Sequence, residues 1–396
     1  MTIAVVGSGV AGLGAAYALS RTHAVELFEA DERPGGHVNT FSAGARELDT
    51  GFIVHNTANY PQLTRLFKEL GITTQPSEMS FSVSCACGLE WSSRRPWACG
   101  PKLLREIVRF LRTADADDAR GLTLAEYVRQ RGYSEGFRRH YLVPMTAALW
   151  STAPSLALEF PAEALLRFFA NHRMLGFRRH GWRTVTGGSR TYVRALLERA
   201  GVRLHLGAPV RSLRRTADGV ELRTDDGVAR RFDGVVVATH APQALSLLAD
   251  PSEDERRLLS AFATTANETV LHTDARVLPR AASAHASWNV RLETCGDQQA
   301  KPTMTYLLNR LQRLDGDEQY CVTLNETSAI DPARIIRTIQ YDHPQMTLAS
   351  IAAQAELHTL NGPRATAFCG AWQGNGFHED GLASGLRAAE AFGARW

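Results

Sequence analysis

Six residues near the start, Gly7-Ser8-Gly9-Val10-Ala11-Gly12, restrict this chain more than any other stretch. They follow the apolar run Ile3 to Val6 and precede small and apolar residues, Ala15 to Ser20, that read as a helix. Each glycine answers a steric demand. Gly7 allows a tight turn, Gly9 lets backbone N–H groups approach a pyrophosphate, and Gly12 lets helix and strand pack closely. Ser8, Val10 and Ala11 complete the loop, and the helix N-terminus adds partial positive charge. Val25 to Glu29 reads as a second strand. Glu29, followed by Ala30, stands where a carboxylate accepts hydrogen bonds from an adenosine ribose, and its charge disfavours a 2′-phosphate there. Strand, turn, helix, strand and acid together predict an α/β dinucleotide-binding unit.

Composition narrows the remaining choices. The 396 residues carry 44 Lys plus Arg against 41 Asp plus Glu, a formal net charge of +3, with 44% hydrophobic and 21% charged residues. That balance fits a folded enzyme and excludes a disordered chain, a collagen repeat or a multi-span membrane protein. The length predicts two domains, because single cores stop growing at about 250–300 residues. Nucleic acid is not an expected partner, since phosphate binding needs concentrated positive charge. Lys68, Lys102 and Lys301 are the only lysines. The N-terminus has no basic leader, and no apolar run approaches the about 18 residues that span a bilayer, so a cytoplasmic protein is expected. Cys85, Cys87, Cys99, Cys295, Cys321 and Cys369 form no framework, and Cys85-Ala86-Cys87 is too tight for the usual zinc knuckle. They read as reduced, buried or half-buried thiols with no metal. Oligomeric state stays open.

Along the chain the texture changes twice. From Tyr60 to about Arg183 the pattern is mainly helical, with amphipathic stretches at Pro61 to Leu70, Lys102 to Leu111 and Leu124 to Arg131. A helix is then expected over Tyr192 to Ala200, strands at Val202 to Leu206 and near Val210, a hairpin around Asp225-Asp226-Gly227, and a buried strand over Phe232 to Thr239. Alternating runs from about Asn267 to Leu324 suit an antiparallel sheet. Thr366 to Gly370 reads as strand into turn, and Leu382 to Phe392 as a last helix. Two interleaved domains follow: a nucleotide domain of residues 1–58, 184–245 and 355–396, and a substrate domain of residues 59–183 and 246–354.

Arg33-Pro34-Gly35-Gly36-His37 places a second glycine pair shortly after the ribose acid, which separates FAD from NAD. With Leu48-Asp49-Thr50-Gly51-Phe52, Gly187-Gly188-Ser189 and the stretch from Gly370-Ala371-Trp372 to His378-Glu379-Asp380-Gly381, the chain resembles the flavin-containing amine oxidoreductase superfamily of amine oxidases, protoporphyrinogen oxidases and phytoene-type desaturases. The segments Asp49 to Asn56, Pro144 to Ser151 and Gly376 to Gly381 resemble, more narrowly, a bacterial branch of predicted NAD/FAD-binding proteins associated with cyclopropane fatty acid synthases. The resemblance implies a Rossmann-like FAD-binding domain of glutathione-reductase type, interleaved with an α+β substrate domain. It implies that Gly35, Gly36 and His37 line the pyrophosphate or ribityl chain, that Gly51, Phe52 and Ile53 lie near the isoalloxazine, and that Val210 meets the adenine. Thr239, Gly370 and Trp372 join this set. Glu379, Asp380, Gly381 and Leu382 would present the final helix's N-terminus to the flavin, although plain helix capping is the alternative for His378-Glu379-Asp380. Arg33 would replace the arginine that follows the glycine pair in amine oxidases. No cysteine sits in the C-terminal attachment context of some relatives, so FAD is expected to be non-covalent.

The departures shape the expected activity. Glu268 to His272, matched to the strand that carries a flavin-facing lysine in amine oxidases, has none, which argues against amine oxidation. No second G-x-G-x-x-G follows a later strand, so oxygen or a quinone-like acceptor is expected to take the electrons. Aromatic and arginine residues alternate from Leu165 to Arg183, suiting either a membrane-surface contact or a helix roofing the substrate cavity. Trp150, Trp288, Tyr306 and Asn309 are candidates to shape an apolar pocket, and His55 and Glu379 are the candidate bases. The expectation is an FAD-dependent oxidoreductase that takes hydride from an acyl lipid or isoprenoid, by desaturation or isomerisation. The alternatives are a flavin amine oxidase and a non-catalytic lipid-binding flavoprotein.

Overall fold

The computed structural model describes residues 1–150, 154–175, 181–295 and 303–396. Strand β1 (Thr2–Val6) runs into helix α1 (Val10–Leu19), and β2 (Ala24–Phe28) returns parallel to β1. Helix α1 starts at Val10, ahead of the expected Ala15, with Gly12 and Gly14 inside it. A Cβ on Gly12 would sit 1.9 Å from the Gly7 carbonyl oxygen. Contact with the loop therefore outweighs the about 1 kcal/mol that a glycine costs within a helix.

Helix α2 (Pro61–Glu69) opens the middle block, followed by strands β3 (Phe81–Cys85) and β4 (Glu90–Ser92). The block is mainly helical as expected, but it also holds strands that the expectation did not include. Phe81-Ser82-Val83-Ser84-Cys85 alternates with period two, and its partner strand lies about two hundred residues later. Helices α3 (Pro101–Thr113), α4 (Leu124–Gln130), α5 (Val143–Trp150) and α6 (Ala162–Asn171) then pack around Phe110, Tyr127, Phe137 and Phe169. Apolar residues Leu165, Leu166, Phe168 and Phe169 of α6 are buried, so this helix roofs the interior. Ser151, Phe177, Arg178, Arg179 and His180, which belong to the motifs singled out above, lie outside the described residues.

Helix α7 (Arg190–Ala200) leads to β5 (Arg203–His205), to the antiparallel meander β6 (Val210–Thr216), β7 (Gly219–Thr224) and β8 (Ala229–Phe232), and to β9 (Gly234–Val237). Strands β10 (Ala263–His272), β11 (Trp288–Leu292), β12 (Thr303–Leu307), β13 (Cys321–Leu324) and β14 (Ile335–Gln345) follow, then β15 (Thr366–Phe368) and helix α8 (His378–Glu390).

Two main sheets result. A five-stranded parallel sheet has the order β5-β2-β1-β9-β15, with Val5 set between Leu27 and Val236. Its strands are apolar on both faces because helices and the meander cover it. A seven-stranded sheet has the order β14-β10-β13-β12-β11-β3-β4, antiparallel except where β11 runs beside β3. Helix α8 starts four residues before the expected Leu382 and packs closely on α1. A Cβ on Gly385 would meet the Ala11 carbonyl oxygen at 2.0 Å, and one on Gly14 would meet Leu382 at 2.6 Å. All six cysteines are free, but Cys87 is exposed, contrary to the buried reading.

Candidate functional site

A cavity of about 760 Å³ runs from the first glycine loop into the helical block. At the nucleotide end it is lined by Gly7, Ser8, Gly9, Val10 and Ala11 of the loop and by Glu29 and Ala30 after β2. The Glu29 carboxylate accepts hydrogen bonds from the Ser8 N–H at 2.8 Å and from the Ser8 hydroxyl, and its other oxygen accepts the Asp31 N–H at 3.0 Å. The second glycine turn is tied to the first, since the Gly35 N–H donates to Ser8 Oγ at 3.0 Å. Gly36 holds φ +55 and approaches Gly9 face to face, where its Cβ would lie 3.2 Å from the Gly9 Cα.

These loops fit the pyrophosphate of a dinucleotide. Gly9 begins α1 with no side-chain cap, so the free N–H groups of the first turn and the positive end of the helix dipole have no anionic partner among the described residues. A Cβ on Gly9 would meet no atom within 4 Å, although Gly9 lines the cavity. Gly12 does not line it. It serves the helix–loop contact. Val210 lines the nucleotide end, while Thr239, Gly370 and Trp372 line the wall that continues from β9 and β15. Trp372 is held there by its indole N–H, which donates to the Thr239 carbonyl at 3.0 Å.

Midway, the walls are Gly51, Phe52 and Ile53 together with His37 and three residues that the sequence reading left unassigned: His240, Tyr341 and His343. His37 stacks on Tyr341 at 4.7 Å and meets His343 edge-on at 5.4 Å. Tyr341 is fixed by Asn39 and Thr50, each 2.9 Å from its hydroxyl. Tyr341 and His343 share one face of β14 by the strand's period of two, the signal that was available in the sequence. His378 also lines the cavity, stacked on Phe52 at 3.9 Å and hydrogen-bonded to the Tyr192 hydroxyl. Burial holds all four imidazoles neutral: His343 is lowered to about 4, His378 to about 3, and His37 and His240 also fall below the ordinary range. Asn267 takes a hydrogen bond from Asn325 on its carbonyl oxygen and turns its amide toward His343 Nδ1 at 2.8 Å. That network assigns the His343 proton to Nε2. His343 is therefore a hydrogen-bond donor, not a base.

Several expected site residues stand elsewhere. Arg33 does not line the cavity; its guanidinium donates to the carbonyls of Gly36 at 2.9 Å and Val38 at 3.4 Å and so braces the second glycine turn. Glu379 is a cap, not a base, because its carboxylate accepts the N–H groups of Gln62 at 2.8 Å and Leu63 at 3.0 Å at the start of α2. Asp380 accepts the Phe377 N–H at 2.9 Å, and Gly381 and Leu382 face α1 rather than the cavity. The early start of α8 causes this shift, leaving Gly376, Phe377 and His378 on the wall instead. His55 is buried behind Phe52 among Tyr60 and Phe67, outside the cavity lining, and burial lowers it to about 4.

The far half of the cavity is apolar. Met79, Phe81, Met145, Leu149, Phe168 and Met174 line it, with Trp288 and Tyr306 forming an edge-to-face pair at 5.2 Å. Trp150 does not line the cavity and donates its indole N–H to the Asn375 carbonyl at 2.9 Å, and Asn309, also absent from the lining, accepts the Tyr320 N–H at 2.7 Å. Neither belongs to the pocket. Of the charged residues on the described lining, Glu29, Asp31 and Arg211 sit at the nucleotide end and Arg173 at the apolar half, and no lysine is among the described lining residues.

A family model described as flavin containing amine oxidoreductase matches residues 10–309. The L-amino-acid oxidase of Pseudechis australis is 41% identical over 68 residues, which are 17% of this chain and 13% of that protein. Among solved structures, a CLA-producing fatty acid isomerase from P. acnes superposes with a TM-score of 0.72 at 15% identity, covering 97% of this chain and 96% of that one. Cyclohexylamine oxidase from Brevibacterium oxydans gives 0.69 at 16% identity over 98% of both chains. At such identities the likeness shows a shared fold.

Proposed function

This chain belongs to the flavin-containing amine oxidoreductase family, so its cofactor is FAD and its chemistry is flavin redox chemistry; on that premise we propose that it desaturates or isomerises a fatty acyl chain. FAD, when bound, supplies a two-electron hydride acceptor. The observation that carries the reading is the division of the cavity: among the described residues its apolar half is lined by no lysine or carboxylate and by one charged residue, Arg173. A hydrocarbon chain fits the methionine and aromatic walls, and an acyl carboxylate fits a guanidinium that makes no ion pair with a described residue. An ammonium group finds no carboxylate partner in that half.

The chain's own groups orient and dehydrate. Trp288 and Tyr306 confine the hydrocarbon, Phe168 and Phe377, stacked at 5.0 Å, close the roof, and the neutral imidazoles supply hydrogen-bond donors without adding net charge. In desaturation the two electrons leave to oxygen or a quinone-like acceptor, whereas isomerisation returns them to the substrate and needs no acceptor. The fatty acid isomerase of the same fold is a precedent for an acyl occupant in this architecture.

Anaerobic mixing of the yellow holoprotein with oleic or linoleic acid, followed by product mass and flavin absorbance, tests the proposal. Loss of two hydrogens with bleaching marks desaturation, and unchanged mass with a moved double bond marks isomerisation. Either supports it. Bleaching by primary amines but by no acyl substrate makes the protein an amine oxidase, and a lipid retained without turnover makes it a binding protein; each refutes the proposal.

A further inference from the structure

Away from the cavity, four soft donor atoms from three distant parts of the chain meet. Strand β3 ends at Cys85, the turn into β4 carries Cys87, and β11, with Leu292 opposite Cys85, continues into Cys295. The turn is pinned by the Cys85 N–H donating to the Leu89 carbonyl at 2.9 Å and the Ala86 N–H donating to the Leu292 carbonyl at 3.0 Å. From the helical block, a π-helical turn over Arg138–Leu142 brings His140 against them. Such turns recur at functional sites.

Cys85 Sγ lies 3.2 Å from Cys295 Sγ. His140 Nε2 lies 3.8 Å from Cys295 Sγ and 3.9 Å from Cys87 Sγ, and all four donors fall within 4.8 Å of one another. A tetrahedral zinc ion with Zn–S of about 2.3 Å and Zn–N of about 2.0 Å has donor–donor edges of about 3.6–3.8 Å. The observed spacings straddle that value. Thiols are weak hydrogen-bonding groups, so mutual hydrogen bonds are a poor reason to gather three of them around one imidazole. His140 is also held in place, because its ring interacts with the Gly136 backbone and its carbonyl accepts the Trp91 indole N–H at 3.2 Å.

We propose that Cys85, Cys87, His140 and Cys295 bind one zinc ion that fastens the seven-stranded sheet to the helical block. Three thiols lose their protons to solvent as three Zn–S bonds form, the neutral imidazole supplies the fourth bond, and no electron is transferred. Four protein donors leave no open position, so the ion is structural. It sits beside the start of α5, the helix that carries Met145 and Leu149 into the cavity, and thereby fixes one wall of the substrate half. The Cys-x-Cys spacing was uninformative because half of the ligand set lies 53 and 208 residues beyond Cys87.

The test is metal analysis of untagged full-length holoprotein grown with zinc, by mass spectrometry, together with a denaturing thiol count. About one zinc per chain is expected after gel filtration. Cys87→Ser, at an exposed turn position, and His140→Ala should each weaken zinc retention by more than about tenfold, whereas Cys99→Ser, a buried thiol outside the cluster, should keep it. Cobalt added to metal-free protein should give the intense visible bands of tetrahedral thiolate coordination. FAD content and melting temperature of each variant separate metal loss from unfolding. Zinc-free wild type with six free thiols, a Cys85–Cys295 disulfide in peptide masses, or Cys99→Ser losing zinc as Cys87→Ser does would overturn the proposal.

Discussion

Replacing Gly9 with alanine separates the cofactor role of the first loop from its folding role. Gly9 has φ −62 and ψ 173, a conformation any residue adopts, and its added methyl would touch no atom of the chain. The apoprotein should therefore change little: stiffening the unfolded chain contributes about 0.4–1 kcal/mol, and placing alanine at an N-cap costs a similar amount. The methyl occupies cavity space where the pyrophosphate must approach the first helical N–H groups. Loss of two charge-assisted hydrogen bonds, each about 1.5–3 kcal/mol, weakens FAD binding by about 3–6 kcal/mol, or about 10² to 10⁴ in Kd. Titration of apoprotein with FAD, read by flavin fluorescence, and the melting temperature of the apoprotein measure the two effects separately. An unchanged FAD affinity would refute the assignment of this loop to the pyrophosphate. Gly12→Ala is the counterpart, because its Cβ collides with the Gly7 carbonyl at 1.9 Å. It should destabilise even the apoprotein by about 1–3 kcal/mol.

Arg173 is exposed, so its ion pair with an acyl carboxylate is worth about 1 kcal/mol, and Arg173→Ala should raise KM for a free fatty acid about fivefold while leaving kcat intact. An equal effect on the methyl ester would show that Arg173 does not read the carboxylate. Acid should destabilise the protein. His55, His272 and His343 are lowered to about 4 and His378 to about 3, so their contribution is complete above pH 6.5 and is lost as pH falls toward these values, by up to about 1.4 kcal/mol per pH unit for each. Asp49, raised to about 6 by burial, acts in the opposite sense, losing its contribution as pH rises through that value, and the half-buried Glu379 and Asp380 carboxyls, also raised, act with it, so they offset part of the histidine effect. A urea midpoint that stays flat from pH 7 to 5 would contradict this. Arg215 is buried in a two-pronged pair with Glu255, both bonds 2.9 Å long. Arg215→Met leaves that carboxylate buried without its partner and should cost about 3–5 kcal/mol in chemical denaturation.

Local signals were legible wherever the residues that explain them are neighbours in the chain. The first glycine loop, Glu29 and the strands on either side of α1 follow from spacing and sterics alone. Helix starts were misjudged at α1 and α8 because Gly12, Gly14 and Gly381 read as turn residues, yet Gly12 is demanded by its approach to the Gly7 carbonyl, and Gly14 and Gly381 by approaches to Leu382 and Val10 at the other end of the sequence. The cavity's polar belt was only partly legible because His37, His240, the pair Tyr341 and His343, and His378 come from four separate stretches that only the fold assembles. Glu379 and His55 attracted a catalytic reading by residue type. Their surroundings, a helix start for one and a ring of aromatic side chains for the other, are tertiary facts.

The nucleotide sheet draws its edge strand β15, and α1 its covering helix α8, from a segment synthesised long after β1 and α1. About 360 residues separate β1 from β15, so at ribosomal rates of about 5–20 residues per second the earliest strands wait roughly 20–70 s for their final neighbours. During that interval the glycine-rich flank of α1 is bare, and a nascent chain stalled before β15 is a natural client for chaperones. FAD added during translation finds its complete cradle only once the closing helix has docked.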